Sequence, residues 1–204
     1  MWQRKALSRT LKDKEFKCMT GLMEKFKPYQ RLSAGTLKLI AIVTMLIDHF
    51  AAGVYADLYT KGYLIQWGIT DYASDIYYIC RNVGRFAFPV FCFLLVEGFF
   101  YTKSRGKYLR NLVIFALVSE VPFDLLLEEG IGFAGQNVFF TLAIALGVIW
   151  GITKVKEKFT NEPTVSFFLQ GTAIVAGCLL AYGLRTDYSY YGIAPVILLF
   201  LPFH

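Results

Sequence analysis

The stretch LKLIAIVTMLIDHFAAGVYAD, residues 37–57, decides the fold. At ~1.5 Å of helical rise per residue it covers ~30 Å, the thickness of a bilayer's hydrocarbon core. Only Lys38 and Asp57 at its ends and the central pair Asp48–His49 can carry charge. Outward from it, four more apolar runs are long enough to span: 82–102, 108–127, 137–153 and 165–184. A sixth starts near Tyr190 and meets the last residue, His204, after 14 residues. The expected fold is therefore all-α: a polytopic transmembrane helical bundle of five full spans plus a sixth cut short. A chain seldom stops inside a membrane, so residues 37–204 read as a membrane domain incomplete at its C-terminus, preceded by a basic segment, 1–36.

Composition agrees. The chain is 56% hydrophobic and 18% charged, with a mean hydropathy of +0.47, outside the range of soluble domains. Its net charge of +6 equals the excess in residues 1–37, nine Lys/Arg against three acids. In so apolar a chain this head reads as a cytoplasmic flank facing anionic lipid, with no nucleic-acid partner expected. Phe16, Met19, Leu22, Met23 and Phe26 recur at helical spacing within it. They describe an amphipathic interfacial helix, or else the head is a plain solvated tail. Basic loops alternate with poor ones: Lys103, Arg105, Lys107 and Arg110, then Glu128 and Glu129, then Lys154, Lys156 and Lys158, then Arg185 with Asp187. The positive-inside rule makes the N-terminus cytoplasmic in a multi-pass plasma-membrane protein. The four cysteines, at 18, 80, 92 and 178, fit neither a metal site nor a disulfide framework and read as free thiols or packing residues. GIGFAG (130–135) follows no strand and reads as a turn between spans rather than a dinucleotide fingerprint.

Ionisable groups at membrane depth cost several kcal/mol unless partnered, so each is a candidate for function. Lys38 and His49 are eleven residues apart, within ~20° of three full turns, on one helix stripe that continues through the small residues Ala52, Gly53 and Ala56. His49 is either functional or a packing histidine; Asp48 beside it favours function. Arg81 and Arg85 stand one turn apart on span two, and Glu120 and Asp124 one turn apart on span three. The antiparallel arrangement predicts an Arg85–Asp124 ion pair at matching depth. Glu97, near the inner end of span two, is either a cavity residue or a snorkelling acid.

Four regions carry a family resemblance: LKLIAIVTMLIDHF (37–50), RNVGRFAFPVFCFLLVEGFFYT (81–102), KYLRNLVIFALVSEVPFDLL (107–126) with NVFFTL (137–142), and TDYSYYGIAPVILLFL (186–201). Together they resemble the TraX family, whose founding member acetylates the N-terminus of conjugative pilin. More loosely they resemble the acyltransferase-3 and heparan-glucosaminide acetyltransferase type. The resemblance implies a membrane acetyltransferase that uses acetyl-CoA, acts on an amine or hydroxyl of a protein N-terminus or glycan, and needs no metal. Lys38 and His49 match a basic residue, ten residues, then an essential His. On this reading His49 and Asp48 are catalytic, and Lys38, Arg81 and Arg85 bind the CoA phosphates. Glu97, Glu120, Asp124, Asn137, Asp187 and Tyr188 then form the acceptor side. The acid orienting His49 can be Asp48, Glu120, Asp124 or Asp187. Donor and acceptor are expected to approach from opposite faces. Rival classes are a proton- or ion-coupled transporter component, whose inverted repeat is missing, and a structural scaffold.

Overall fold

The computed structural model describes residues 33–66, 68, 72–127 and 135–203, which are helical almost throughout. Helix α1 (Ala34–Phe50) begins at a sequence-encoded cap, where the extended Ser33 accepts the Thr36 N–H on its Oγ at 3.1 Å. It runs through a π-helical turn, Ala51–Tyr55, into α2 (Ala56–Thr60), making one 27-residue rod. A short α3 (Tyr63–Gln66) leads to α4 (Ala73–Arg85) and α5 (Ala87–Tyr101). The joint at Phe86 follows from Pro89, which offers no N–H to the Arg85 carbonyl and crowds it with its ring. Then come α6 (Arg105–Leu127), α7 (Val138–Lys158), α8 (Pro163–Gly183), a 3-10 turn (Ser189–Gly192) and α9 (Ile193–Phe200).

Among the described residues, four stretches are long and apolar enough to cross a membrane: 34–60, 73–101, 138–158 and 163–183. The second starts at Ala73, nine residues before the expected 82. Helix α4 is amphipathic, and its Asp75, Arg81 and Arg85 hide it from a search for apolar runs. The expected third span is helix α6, 23 residues long, but Arg110, Glu120 and Asp124 lower its hydropathy and it is not one of the four. In place of the sixth span lies the shorter apolar helix Ser189–Phe203.

The core lies between α5, α7 and α9. Phe88, Cys92 and Phe99 from α5 meet Leu146 and Ile149 from α7 and Phe200 from α9. Helices α1, α6 and α8 turn large apolar side chains outward, among them Leu46 at 68% and Phe167 at 74% exposure. Surface of that kind suits the apolar surroundings of a membrane. Cys80, Cys92 and Cys178 are free thiols. The amphipathic head, Cys18, Gly130 and Gly132 lie outside the described residues.

Candidate active site

Helix α4 lies along α1 and comes close to it at Gly84, where a Cβ would overlap the Asp48 side chain. Arg81, three residues earlier and so on the same face, donates from Nη1 to Asp48 Oδ2 at 2.6 Å. One face of α4 thus both makes room for the Asp48 carboxylate and neutralises it. The two side chains are 29% and 19% exposed, so water screens this pair weakly.

The adjacent His49 is held differently. Its Nδ1 lies 2.9 Å from the Met45 carbonyl, one turn back. A carbonyl only accepts, so Nδ1 must carry the hydrogen, and in the uncharged ring Nε2 is left with the free lone pair. Asp48 Oδ2 is 3.9 Å from Nδ1, beyond hydrogen-bond range. The expected carboxylate orienter is therefore corrected: a backbone carbonyl orients the ring, while Asp48 contributes charge and spends its hydrogen bond on Arg81. Phe123 of α6 closes the edge of the ring, centroid to centroid 6.0 Å.

The π-helical turn starts two residues after His49 and changes the angular step per residue. The stripe of small residues expected beyond His49 therefore does not continue as an open track. At Gly53 an added Cβ would stand 2.6 Å from Leu126 Cγ, because α6 packs there.

A third segment completes the cluster. After α8 the loop turns through two non-glycine residues with positive φ, Arg185 (52°) and Ser189 (48°). Such conformations cost about 1–3 kcal/mol each and persist only where the surroundings hold them. Here Gln136 N–H donates to Arg185 O at 3.1 Å, Asp187 N–H donates to Gln136 O at 2.8 Å, and Tyr188 stacks on Phe88 at 3.7 Å. The loop thereby brings Asp187 into the field of His49, Asp48 and Arg81. Asp187 is exposed at the surface, while its carboxyl lies close enough to neighbouring protein atoms to be partly desolvated. That burial raises its pKa, with His49 lowering it, Asp48 raising it and Arg81 lowering it, in that order of size. Tyr188 feels the same charges together with Arg85.

Other expected site residues are placed elsewhere or used otherwise. Asn137 caps α7: its Oδ1 accepts the Phe139 N–H at 2.9 Å, its Nδ2 donates to Ala116 O at 2.8 Å, and Nδ2 also bonds Glu120 Oε2. Glu120 Oε2 accepts the Asn137 N–H too, at 3.1 Å, so Glu120 and Asn137 clamp α6 to the start of α7. The predicted Arg85–Asp124 pair does not form: Arg85 is exposed, Asp124 is 1% exposed, and the arginine of α4 that finds an acid is Arg81. Glu97 is twelve residues past Arg85, about 18 Å further along the rod. Lys38 is exposed and about 16 Å from His49 along α1, so Lys38, Arg81 and Arg85 do not make one phosphate site. Among the described residues no group of three His, Cys, Asp or Glu is placed to hold a metal. The Met45 carbonyl, Phe88 and Phe123 were not singled out from sequence. Gly84 did leave a signal, a small residue beside Arg81 and Arg85 that reads as loosening their helix; its place against Asp48 came only with the packing.

A family model described as TraX protein matches residues 33–204. The "Probable fimbrial assembly protein FimC, serogroup H1" of Dichelobacter nodosus is 36% identical over 122 residues, 56% of this chain and 44% of that protein. An uncharacterised protein of Rickettsia prowazekii (strain Madrid E) is 25% identical over 167 residues, 82% of this chain and 53% of that protein. The chain thus spans about half the length of the curated relatives it matches. No solved structure matches it. With the match covering every described residue, from the cap of α1 to the end of α9, the chain belongs to the TraX protein family.

Proposed function

We propose that the protein is a plasma-membrane acetyltransferase that moves an acetyl group from acetyl-CoA to an amine or hydroxyl of a protein or glycan acceptor, with His49 as general base. The observation that carries this reading is the pinned imidazole: Nδ1 is committed to the Met45 carbonyl, and Nε2 takes no hydrogen bond among the described residues. Nε2 removes the proton as the acceptor attacks the thioester carbonyl. The C–S bond breaks, and the imidazolium returns the proton to the departing thiolate. The imidazolium forms within the field of Asp48 and Asp187, whose charges favour it. Arg81 keeps Asp48 in place.

Lys38 stands at the far end of α1, which suits the donor's phosphates. Arg85 and Tyr188 stand at the His49 end and suit the acceptor. Loop charges favour a cytoplasmic N-terminus, which puts Lys38 on the side where acetyl-CoA is made. The fimbrial-assembly name of one relative makes a surface-filament protein a reasonable acceptor to try first. The test is acetyl-CoA turnover by purified protein in nanodiscs, comparing the parent with His49→Gln. The parent is expected to bind acetyl-CoA and release CoA, and the variant to bind it with turnover at least a hundredfold lower. Near-normal turnover by the variant overturns the assignment of His49, and absence of acetyl-CoA binding by the parent overturns the enzyme reading.

A further inference from the structure

The seam between α1 and α4, tight at Gly84, runs on away from Lys38 to a pocket of ≈ 290 Å³ at the end of the α1–α2 rod and the start of α4. Tyr55, Tyr59, Tyr77 and Tyr78 supply four aromatic rings to its lining, which Thr60 and Ser74 share. Ser74, Tyr77, Tyr78 and Arg81 follow one another at i, i+3, i+4 and i+7. The face of α4 that reaches Asp48 is therefore the face that lines the pocket.

The chemistry of the pocket suits a neutral ring. Among the described residues no charged or carboxamide side chain lines it. Tyr55 donates its hydroxyl to the Ala73 carbonyl and Thr60 donates to the Asp57 carbonyl, both at 3.0 Å, which leaves little for the many hydroxyls of a sugar. A cation finds no free counter-charge in the lining. Asp57 is held by Lys61 at 2.8 Å, and Asp75 stands outside the lining in the first turn of α4, where it offsets the positive end of that helix. The Tyr77 and Tyr78 rings are 5.6 Å apart at 74°, so an incoming ring can stack on one and meet the other edge-on. An apolar cavity of ~150 Å³ holds benzene, and ≈ 290 Å³ holds such a ring together with its link to a backbone.

We propose that this pocket selects a polypeptide acceptor by seating an aromatic side chain at its third or fourth residue, while the N-terminal amine lies at His49. The proposal rests on the acetyltransfer reading, which puts the donor at the Lys38 end of the seam and the acceptor at this one. Tyr77 and Ser74 are four and seven residues from Arg81, ~6–10 Å along α4 at ~1.5 Å per residue. An extended chain covers that distance in two or three residues at ~3.3–3.6 Å each, which brings the third or fourth side chain to the tyrosines. Tyr59 and Tyr78, 49% and 63% exposed, are the rings that such a guest would cover.

Peptide binding to the purified protein in nanodiscs tests this directly, measured without acetyl-CoA and against empty nanodiscs. The probes are pentapeptide amides with a free N-terminus: one all alanine, the others with phenylalanine or lysine at the third or the fourth position. A phenylalanine peptide is expected to bind at least tenfold more tightly than the alanine peptide, and the lysine peptides to stay within about twofold of it. Tyr59→Ala with Tyr78→Ala removes two rings, and Ser74→Leu fills the pocket from α4. Each variant should bring the phenylalanine peptide to within about twofold of the alanine peptide. All three positions are exposed, and an unchanged unfolding midpoint shows that the fold is kept. Equal binding of phenylalanine and alanine peptides by the parent overturns the proposal and leaves the pocket to lipid. A phenylalanine preference that survives both variants overturns it too, as does a lysine peptide that binds as tightly, which would make the pocket a cation cage. Selective binding of the phenylalanine peptide by a protein that does not turn over acetyl-CoA keeps the pocket and overturns the acetyltransfer reading instead.

Discussion

Replacing Gly84 with alanine sets two effects of known sign against each other. On an isolated helix alanine is the better residue by about 1 kcal/mol. In this bundle the new methyl would lie 2.6 Å from Asp48 Oδ1 and 2.7 Å from Asp48 Cγ, and closer still to Asp48 Cβ. Cβ is tied to the backbone of α1, so rotating a flexible tip cannot relieve the overlap, and α1 and α4 must separate. Overpacking of this kind costs about 1–3 kcal/mol, and contact with a Cβ belongs at the upper end. The net is a destabilisation of about 2 kcal/mol, which in a chain of this length lowers the unfolding midpoint by roughly 4–8 °C. The same separation pulls Asp48 from Arg81, so acetyl transfer should fall more than acetyl-CoA binding does. Thermal unfolding of the detergent-solubilised protein measures the first effect, and a comparison of kcat with KM measures the second. If Gly84→Ala unfolds at or above the parent temperature, the close packing of α1 on α4 is refuted, and with it the account of how Asp48 is held.

Further outcomes are expected. The chain has two histidines, so His204→Gln leaves only His49 to be seen by 15N NMR. Its uncharged ring should then show the Nδ1–H form, and an Nε2–H signal would contradict the Met45 bond. Asn137→Ala should cost about 1–3 kcal/mol, since it removes a helix cap and a side-chain bond to Glu120; denaturation that leaves stability unchanged would count against the clamp. Burial raises the pKa of Asp187, so the folded state holds its proton more tightly than the unfolded state does. Its penalty is therefore absent below the ordinary carboxylate range and grows as pH rises through the raised folded value. Asp187→Asn should raise the unfolding midpoint at pH 7, with the gain vanishing toward pH 3; an equal gain at both would mean the carboxyl is not titrating there.

How much of this was legible in the chain depends on the range over which each feature is determined. Hydropathy is a local quantity, so helical membrane segments and the strangeness of Asp48 and His49 within one of them could be read from residues 37–57 alone. The family resemblance was legible for a related reason, since its motifs are short runs. Span two was misjudged at its start because an amphipathic helix carrying Arg81 and Arg85 hides its apolar face from an averaging window. Partner choice was out of reach. Which of two arginines one turn apart meets an acid, and which acid, depends on helix rotation and separation, and the missing side chain at Gly84 is part of what permits the close approach seen here. Matching depths pointed to Arg85 and Asp124, but α4 turns Arg81 toward α1 and leaves Arg85 exposed. The bond from His49 to a backbone carbonyl has no sequence signature at all, because every residue has a carbonyl. Asp187 joins the cluster only because a loop held by Gln136 and by the Phe88–Tyr188 stack folds back over residues nearly 140 positions earlier. Composition and periodicity determined that there would be apolar membrane-type helices with costly charges among them; the packing of those helices decided which charges neutralise one another and which nitrogen of His49 keeps its lone pair free.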